Sequence, residues 1–272
     1  MAAIEKNQSL VIAAIKFLEL TYHCIVRDVR KRSGNAPLGI LKEVMQILSF
    51  FLIFYLMFVV LGRSVAIRGD FILYLLSGIF LLVIHMGAIN AVMSSSSAIS
   101  PIMQHAPMSV VLSILSQAIA TLYLQFTAIL LIMLFVVIFR DGVEIYNPKG
   151  IFVPFILTWA SGISIGLVFM LIKPLAPNFF QAFSKVYMRA QMISSGKFMP
   201  AAYLPASMIS WFDWNPLFHT IDQMRLAVFI NYTREVSSIT YPLYFTLIFL
   251  VIGMMGEFWL RKNLSISKHT GE

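Results

Sequence analysis

The chain has 272 residues and a formal net charge of +8, yet only 12% of it is Asp, Glu, Lys or Arg, against about 25% in soluble domains. It is 59% hydrophobic with a mean hydropathy of +0.84, which excludes a water-soluble fold whose exterior must be wetted. Long uncharged runs without ten-residue alternation exclude a β-barrel, and the excess cations read as Lys and Arg held at a membrane surface rather than as a nucleic-acid footprint.

Residues 9–32 come first. Lys16, Glu19, His23, Arg27 and Arg30 follow one another at steps of three and four, so they share a helical face. Leu10, Val11, Ile15, Leu18, Tyr22 and Val29 fall largely on the other. Such a helix lies in the membrane interface rather than across it. The start does not read as a signal peptide, because Glu5 and Lys6 precede a mixed segment. Cys24 is the single cysteine, which excludes an intrachain disulfide framework and leaves it as packing filler. Ser33, Gly34, Asn35 and Pro37 break the helix.

A hydrocarbon core of ~30 Å takes about 20 helical residues. On that measure spans are expected at 44–62, 71–93, 109–139, 151–172, 179–200 and 241–260. The third is longer than a bilayer needs and is expected to tilt or project. The fifth is the weakest, interrupted by Lys185, Arg189 and Lys197. Breaks fall at 62–70, at SSSSAISPIMQHAPM (94–108), at the polar turn 140–150, at KPLAPN and through the Pro- and aromatic-rich 200–240. Six spans put both termini on one side. Residues 1–43 carry seven Lys or Arg, and the loops 62–70 and 140–150 two each. That bias puts the termini in the cytoplasm and 200–240 outside. The expected organisation is a cytoplasmic helix and basic linker (1–43), a six-span domain (44–260) and a cytoplasmic tail (261–272).

Few residues suggest chemistry. Ser109, Ser113, Gln117, Thr121 and Gln125 recur every fourth position of the third span; they are either helix–helix glue or one wall of a hydrated path. Gly162-Ile-Ser-Ile-Gly166 reads as close helix packing. No phosphate-cradling Gly-rich loop, HExxH or CxxC is present. Asp213, His219 and Asp222 lie close in sequence, but no nucleophile on a strained turn accompanies them.

WFDWNPLFHTIDQMR, residues 211–225, concentrates Trp, Asp, His and Arg next to the last span. Pro200, Pro205 and Pro216 cut 200–230 into pieces too short to cross. Residues 201–214 and 216–229 could each make a helix of ten to fourteen residues, a re-entrant pair tolerated only where protein or water satisfies its backbone. Asn215 is the expected cap and Pro216 the first helical residue. Asp222 and Arg225, three apart, can pair. Tyr203, Trp211 and Trp214 suit either an interfacial belt or a lid that stacks on sugar rings. In the first span Phe50, Phe51, Phe54, Tyr55 and Phe58 form an aromatic stripe, either packing or translocation wall. Arg63 and Arg68 read as attractors of an anionic polymer or as solvated loop charges.

The basic amphipathic helix, the six spans and the Pro-rich re-entrant pair resemble the permease subunit of ABC-2 type exporters. Asn215-Pro216-Leu217, His219, Asp222 and Arg225 are similar to the NPL-x-H-x-(I/V)-(E/D)-x-x-R pattern of its capsular-polysaccharide branch, with Asp222 where Glu is commoner; O-antigen and teichoic-acid permeases share the architecture. The resemblance implies an all-α inner-membrane protein that works as two copies, binds a lipid-linked polysaccharide and is driven by a separate ABC ATPase carrying ATP and Mg, with no cofactor, metal or nucleic acid on this chain. It implies ATPase contacts through Lys16, Glu19, His23 and Arg27 and through a coupling helix with Ser100, Pro101, Gln104 and His105. It implies a gate at the outer pair, with Tyr203, Trp211, Trp214, Asn215, Pro216, His219, Asp222 and Arg225 as its candidates, and Phe51, Phe54, Tyr55 and Phe58 of the aromatic stripe are the candidates for the wall of the path. The competing readings are an exporter of another cargo, a membrane-embedded enzyme of glycan or lipid metabolism, and a scaffold subunit.

Overall fold

The structure is a computed structural model that describes residues 10–60, 70–95, 110–140, 144–197, 201, 204–232 and 236–266. Every regular element among them is helical. The helices are α1 (Leu10–Ser33), α2 (Ala36–Val60), α3 (Phe71–Met93), α4 (Val110–Phe139), α5 (Phe152–Leu175), α6 (Pro177–Ser194), α7 (Pro216–Val228) and α8 (Thr240–Ile266). Five segments are long and apolar enough to cross a membrane: α2, α3, α4, Pro148–Leu175 and Thr240–Leu260. The weak span expected at 179–200 is a helix, α6, but it is not one of the five, because Asn178, Gln181, Ser184, Lys185, Arg189 and Gln191 dilute its apolar content. The expected start of the first span, residue 44, lies two turns inside α2, which takes in Lys42 and Glu43.

α3 is the axis of the fold, buried along almost its whole length. α5 packs on it most extensively, and α8 packs on the far side of α5. Glycines set both approaches. A Cβ on Gly162 would stand 2.7 Å from the His85 carbonyl oxygen, and one on Gly166 would stand 2.7 Å from the Val92 Cβ. Real Cβ atoms do not come so close to such atoms, so the expected small-residue stripe is the α3–α5 seam. Gly253 and Gly256 of α8 receive Leu167 and Leu171 in the same way. Polar bonds reinforce the seam. His85 Nδ1 lies 3.1 Å from Ser161 Oγ and 3.2 Å from the Thr158 carbonyl.

α4 lies against α2, α3 and α1. Of its polar row, Gln125 donates to the Val83 carbonyl (3.1 Å), seated where Gly87 leaves room. Thr121 bonds its own helix at Gln117 O (2.8 Å). Gln125 is thus glue between helices, Thr121 is tied to its own helix, and Ser109 lies outside the described residues. α1 docks on α4 through Thr21, Cys24, Asp28 and Val29, and Asp28 accepts from Ser116 Oγ at 2.7 Å. Lys16, Glu19, His23 and Arg27 stay exposed, as do Ile15, Leu18 and Tyr22. Both polar and apolar faces of α1 are therefore open, as an interfacial helix requires.

Two contacts define the ends of the bundle. Arg140, after α4, pairs with Asp70, before α3, at 2.9 Å. The chain before α5 docks on the end of α7, with Tyr146 N and Asn147 N donating to Val228 O (3.1 Å) and Ala227 O (2.8 Å). These loops and 201–232 therefore share one end, the upper end. The α1 contact at Ser116, six residues into α4, belongs to the other. Gly162→Leu would drive a side chain into α3 backbone and is expected to cost about 1–3 kcal/mol or more. A thermal melt of the purified protein in detergent tests this, and an unchanged midpoint would contradict the seam.

Candidate functional site

α7 is the centre of the site. Asn215 has extended backbone (φ −92°, ψ 115°) and its side chain accepts from Leu217 N at 2.9 Å. Pro216 occupies the first turn, where its missing N–H costs nothing. Cap and first residue thus stand as expected. The limb before them does not. The described residues 204–214 contain one helical turn, Ala206–Ile209, followed by tight turns to Trp214. Pro205 opens that turn, and Pro216 holds Asn215 extended. Bonding in between is mostly i→i+3, as from Trp211 N to Met208 O and from Asn215 N to Phe212 O, with one i→i+4 bond from Asp213 N to Ile209 O. The re-entrant helix pair is therefore one helix and one irregular limb.

α7 is buried from Pro216 through Arg225 although it carries His, Thr, Asp, Gln and Arg. Each polar side chain takes a partner from a different segment. The Asn215 amide donates to Ser194 Oγ (2.8 Å), at the end of α6. Thr158 Oγ1 of α5 donates to Thr220 Oγ1 (2.8 Å). Ser238 N donates to His219 Nδ1 (3.2 Å), so the proton sits on Nε2 and is donated to Asp213 O (2.8 Å), with Asp213 Oδ1 at 3.1 Å. The His219 ring also lies against Tyr241 of α8, 4.7 Å between centroids.

Asp222 and Arg225 complete the set, but with partners the sequence did not name. Asp222 accepts from the Tyr232 hydroxyl and from Ser237 Oγ (2.7 Å). Burial, with the nearby Asp222 carboxylate adding to it, raises the Tyr232 pKa, so its phenol stays a donor. Arg225 donates from Nη1 to Gly196 O (2.9 Å) and from Nη2 to Lys197 O (2.7 Å). Its guanidinium lies 4.0 Å over the Tyr74 ring of α3. Lys197 donates to Met192 O, and its ammonium sits 4.9 Å from the Phe54 ring centre. Gly78 makes the notch: a Cβ there would stand 3.0 Å from Lys197 Cβ and 3.1 Å from Arg225 Nη2.

The other expected site residues divide. Phe54 and Phe58 are buried, Phe51 is half-buried and Tyr55 is exposed, so the aromatic stripe packs inward along one edge. Phe50 stacks on Phe54, and Phe51 on Tyr55. Trp211 and Trp214 are 69% and 45% exposed. The Trp214 indole donates to Trp211 O (2.8 Å), and Tyr241 OH donates to Trp214 O (2.6 Å), so the exposed pair is held on a fixed turn. Tyr203, Ser100, Pro101, Gln104, His105, Arg63 and Arg68 lie outside the described residues. Tyr74, Gly78, Lys197, Tyr232 and Ser237 were missed. Lys197 alone carried a signal, a cation at the edge of a span.

Arg225→Met would leave two buried carbonyls unbonded and is expected to cost about 2–5 kcal/mol. Asn215→Ala would remove a cap and the tether to Ser194, at about 1–2 kcal/mol. Thermal melts of the two variants in detergent check the order of the effects, and an Arg225→Met protein as stable as the parent would refute the assignment.

The description of the ABC-2 type transporter family matches residues 19–229, more than three quarters of the chain, and that stretch includes α7 and its cap. Two proteins of Escherichia coli, both described as polysialic acid transport protein KpsM, are 26% identical to this chain over 233 and 234 residues. Each alignment covers 84% of this chain and 88% of the relative. A multi-pass helical bundle with a match of that extent is a member: the chain belongs to the ABC-2 type transporter family.

Proposed function

We propose that this chain is the permease subunit of an ABC exporter that moves a lipid-linked cell-surface polysaccharide across the bacterial inner membrane. The observation that carries the reading is the likeness to two polysialic acid transport proteins along 84% of the chain. The buried hub of α7 supports it, because a re-entrant helix so full of polar groups has a use at the mouth of a passage and none in a passive anchor.

In this reading both termini are cytoplasmic and the upper end faces outward. The basic residues of the first 43 positions support that orientation. α6 together with residues 195–197 makes the sixth crossing. It starts directly after α5, packs Phe180 and Tyr187 on Phe169, and ends at Ser194 against the cap of α7. Two copies enclose the path. Trp211 and Trp214, held outward on their turn, offer stacking surfaces to sugar rings at the exit. The hub fixes where that turn sits.

The driving force comes from a separate ABC ATPase that carries ATP and Mg. The open polar face of α1, with Lys16, Glu19, His23 and Arg27, is one docking surface for it. Ser100, Pro101, Gln104 and His105 form the second. ATP-driven movement below is passed through α1 to α4 by the Asp28–Ser116 bond.

Cells lacking both this chain and its ATPase are expected to regain surface polysaccharide only when the two are supplied together. Recovery with the chain alone would refute the reading. Replacing Trp211 and Trp214 together with Ala is expected to lower surface polymer roughly ten-fold or more while co-purification with the ATPase is unchanged. Full export in that variant would remove the Trp pair from the path.

A further inference from the structure

α6 is the least apolar of the long helices after α1, and its two faces differ in kind. Phe180, Ser184, Gln191 and Ser194 are buried. At about 100° per residue, Phe180, Ser184, Tyr187 and Gln191 share one narrow stripe. Lys185 and Arg189 lie about 140° and 180° from Phe180 on the same wheel. Both are exposed, directly away from the packed face. Neither takes an ion pair or a hydrogen bond among the described residues.

Their height makes them unusual. At 1.5 Å per residue, Lys185 and Arg189 stand about 12 and 18 Å along a helix of about 27 Å. The lower part of α6 packs on Phe169 of α5. Its upper end reaches the hub. The cations therefore sit mid-way between the ends of the bundle, where a charge against lipid tails is costly and marks a hydrated route or a bound partner.

Among the described residues the chain supplies no counter-charge there. No Asp or Glu occurs between Glu144 and Asp213. The described carboxylates of α3, α5 and α7 reduce to Asp222, which is buried and already accepts two hydrogen bonds. Glu257 of α8 and Asp28 of α1 are buried too, and Glu43 of α2 is half-buried. Glu19, Asp70, Glu144 and Asp213 lie in α1 or at the upper end, away from the middle of α6. Among the described residues, a second copy of the chain therefore has no fully exposed carboxylate to offer at that height.

We infer that the α6 face carrying Lys185 and Arg189 holds the acidic groups, carboxylate or phosphate, of the glycan chain as it passes. The inference rests on the exporter reading and names the charge class of its cargo. The rest of the face fits a glycan better than a bare anion. Asn178 and Gln181 are exposed beside the cations and offer hydroxyl partners. Phe179 and Phe183, stacked at 5.6 Å and open to the outside, flank them as apolar surface for sugar rings. Two cations one turn apart attract an acidic polymer without fixing a single residue of it, which suits a chain that has to move on.

The test uses the full chain with its ATPase. The probes are short polysialic acid oligomers and dextran oligomers of matched length. Lys185→Gln with Arg189→Gln is expected to weaken binding of the acidic oligomer about ten-fold or more and to flatten its salt dependence. Dextran binding should not change, and Lys185→Arg with Arg189→Lys should bind like the parent. Undiminished acidic-oligomer binding by the neutral variant would overturn the inference. So would equal loss for dextran, or dissociation of the second copy on size exclusion in the neutral variant. A parent complex that neither binds glycan nor restores surface polymer would overturn the exporter reading with it. A parent that does both, beside an unaffected neutral variant, would overturn the α6 face alone.

Discussion

The interior of a bilayer has no water to lend, so every polar atom carried into it needs a protein partner. α7 is where this constraint is felt most. Within one short buried helix it brings His219, Thr220, Asp222, Gln223 and Arg225. Satisfying them takes the end of α6, the middle of α5, the chain around 196–197, Tyr232, Ser237 and the backbone at Ser238. Those segments lie where they do because α7 has no other way to satisfy its buried polar groups. Removing a partner leaves an uncompensated buried group, which costs more than the bond itself was worth.

A second constraint acts on distance rather than polarity. Lipid tails are as apolar as leucine, so helices in a bilayer gain little by hiding apolar surface from them and must gain by contact. Gly162 and Gly166 bring α5 onto the backbone of α3, and Gly253 and Gly256 bring α8 onto α5. The three helices form a tight slab. α2 and α4 leave long apolar faces open. A hub bonded to α3 and α5 is thus mounted on the stiff part of the molecule. The faces left open are the ones available to lipid or to a second copy.

How much of this was legible depends on the range of the cause. Helices α3, α4, α5 and α8 follow from local hydropathy, and their ends fell within a few residues of expectation. The Asn215 cap and Pro216 are also local, and they read correctly. The first limb failed because the nine residues between Pro205 and an extended Asn215 are too few to propagate a helix once its nucleus is made. Asp222 and Arg225 suggested each other by their spacing. A buried carboxylate and a buried guanidinium both need several hydrogen bonds, and the fold supplies them from distant segments. Tyr74 and Ser237 look like any other residue of a span or a loop, so no sequence pattern marks them. The interruption of the weakest span by Lys185 and Arg189 was visible. What the sequence lacked was which way the helix faced.

That orientation separates two kinds of polar residue that the sequence presents alike. The motif residues Asn215, His219, Asp222 and Arg225 point into the chain and are bonded there. Trp211, Trp214, Lys185 and Arg189 point out of it. A buried, bonded residue is constrained by its neighbours in the same chain and carries little information about what passes by. An exposed one keeps a face open and answers to whatever it meets. In the exporter reading proposed above, cargo preference would belong to the outward set, while the similarity to the export motif belongs to the inward set. On that reading two permeases could share the hub and differ in the polymer they carry, because the residues bonded into the hub would not be the ones that meet what passes.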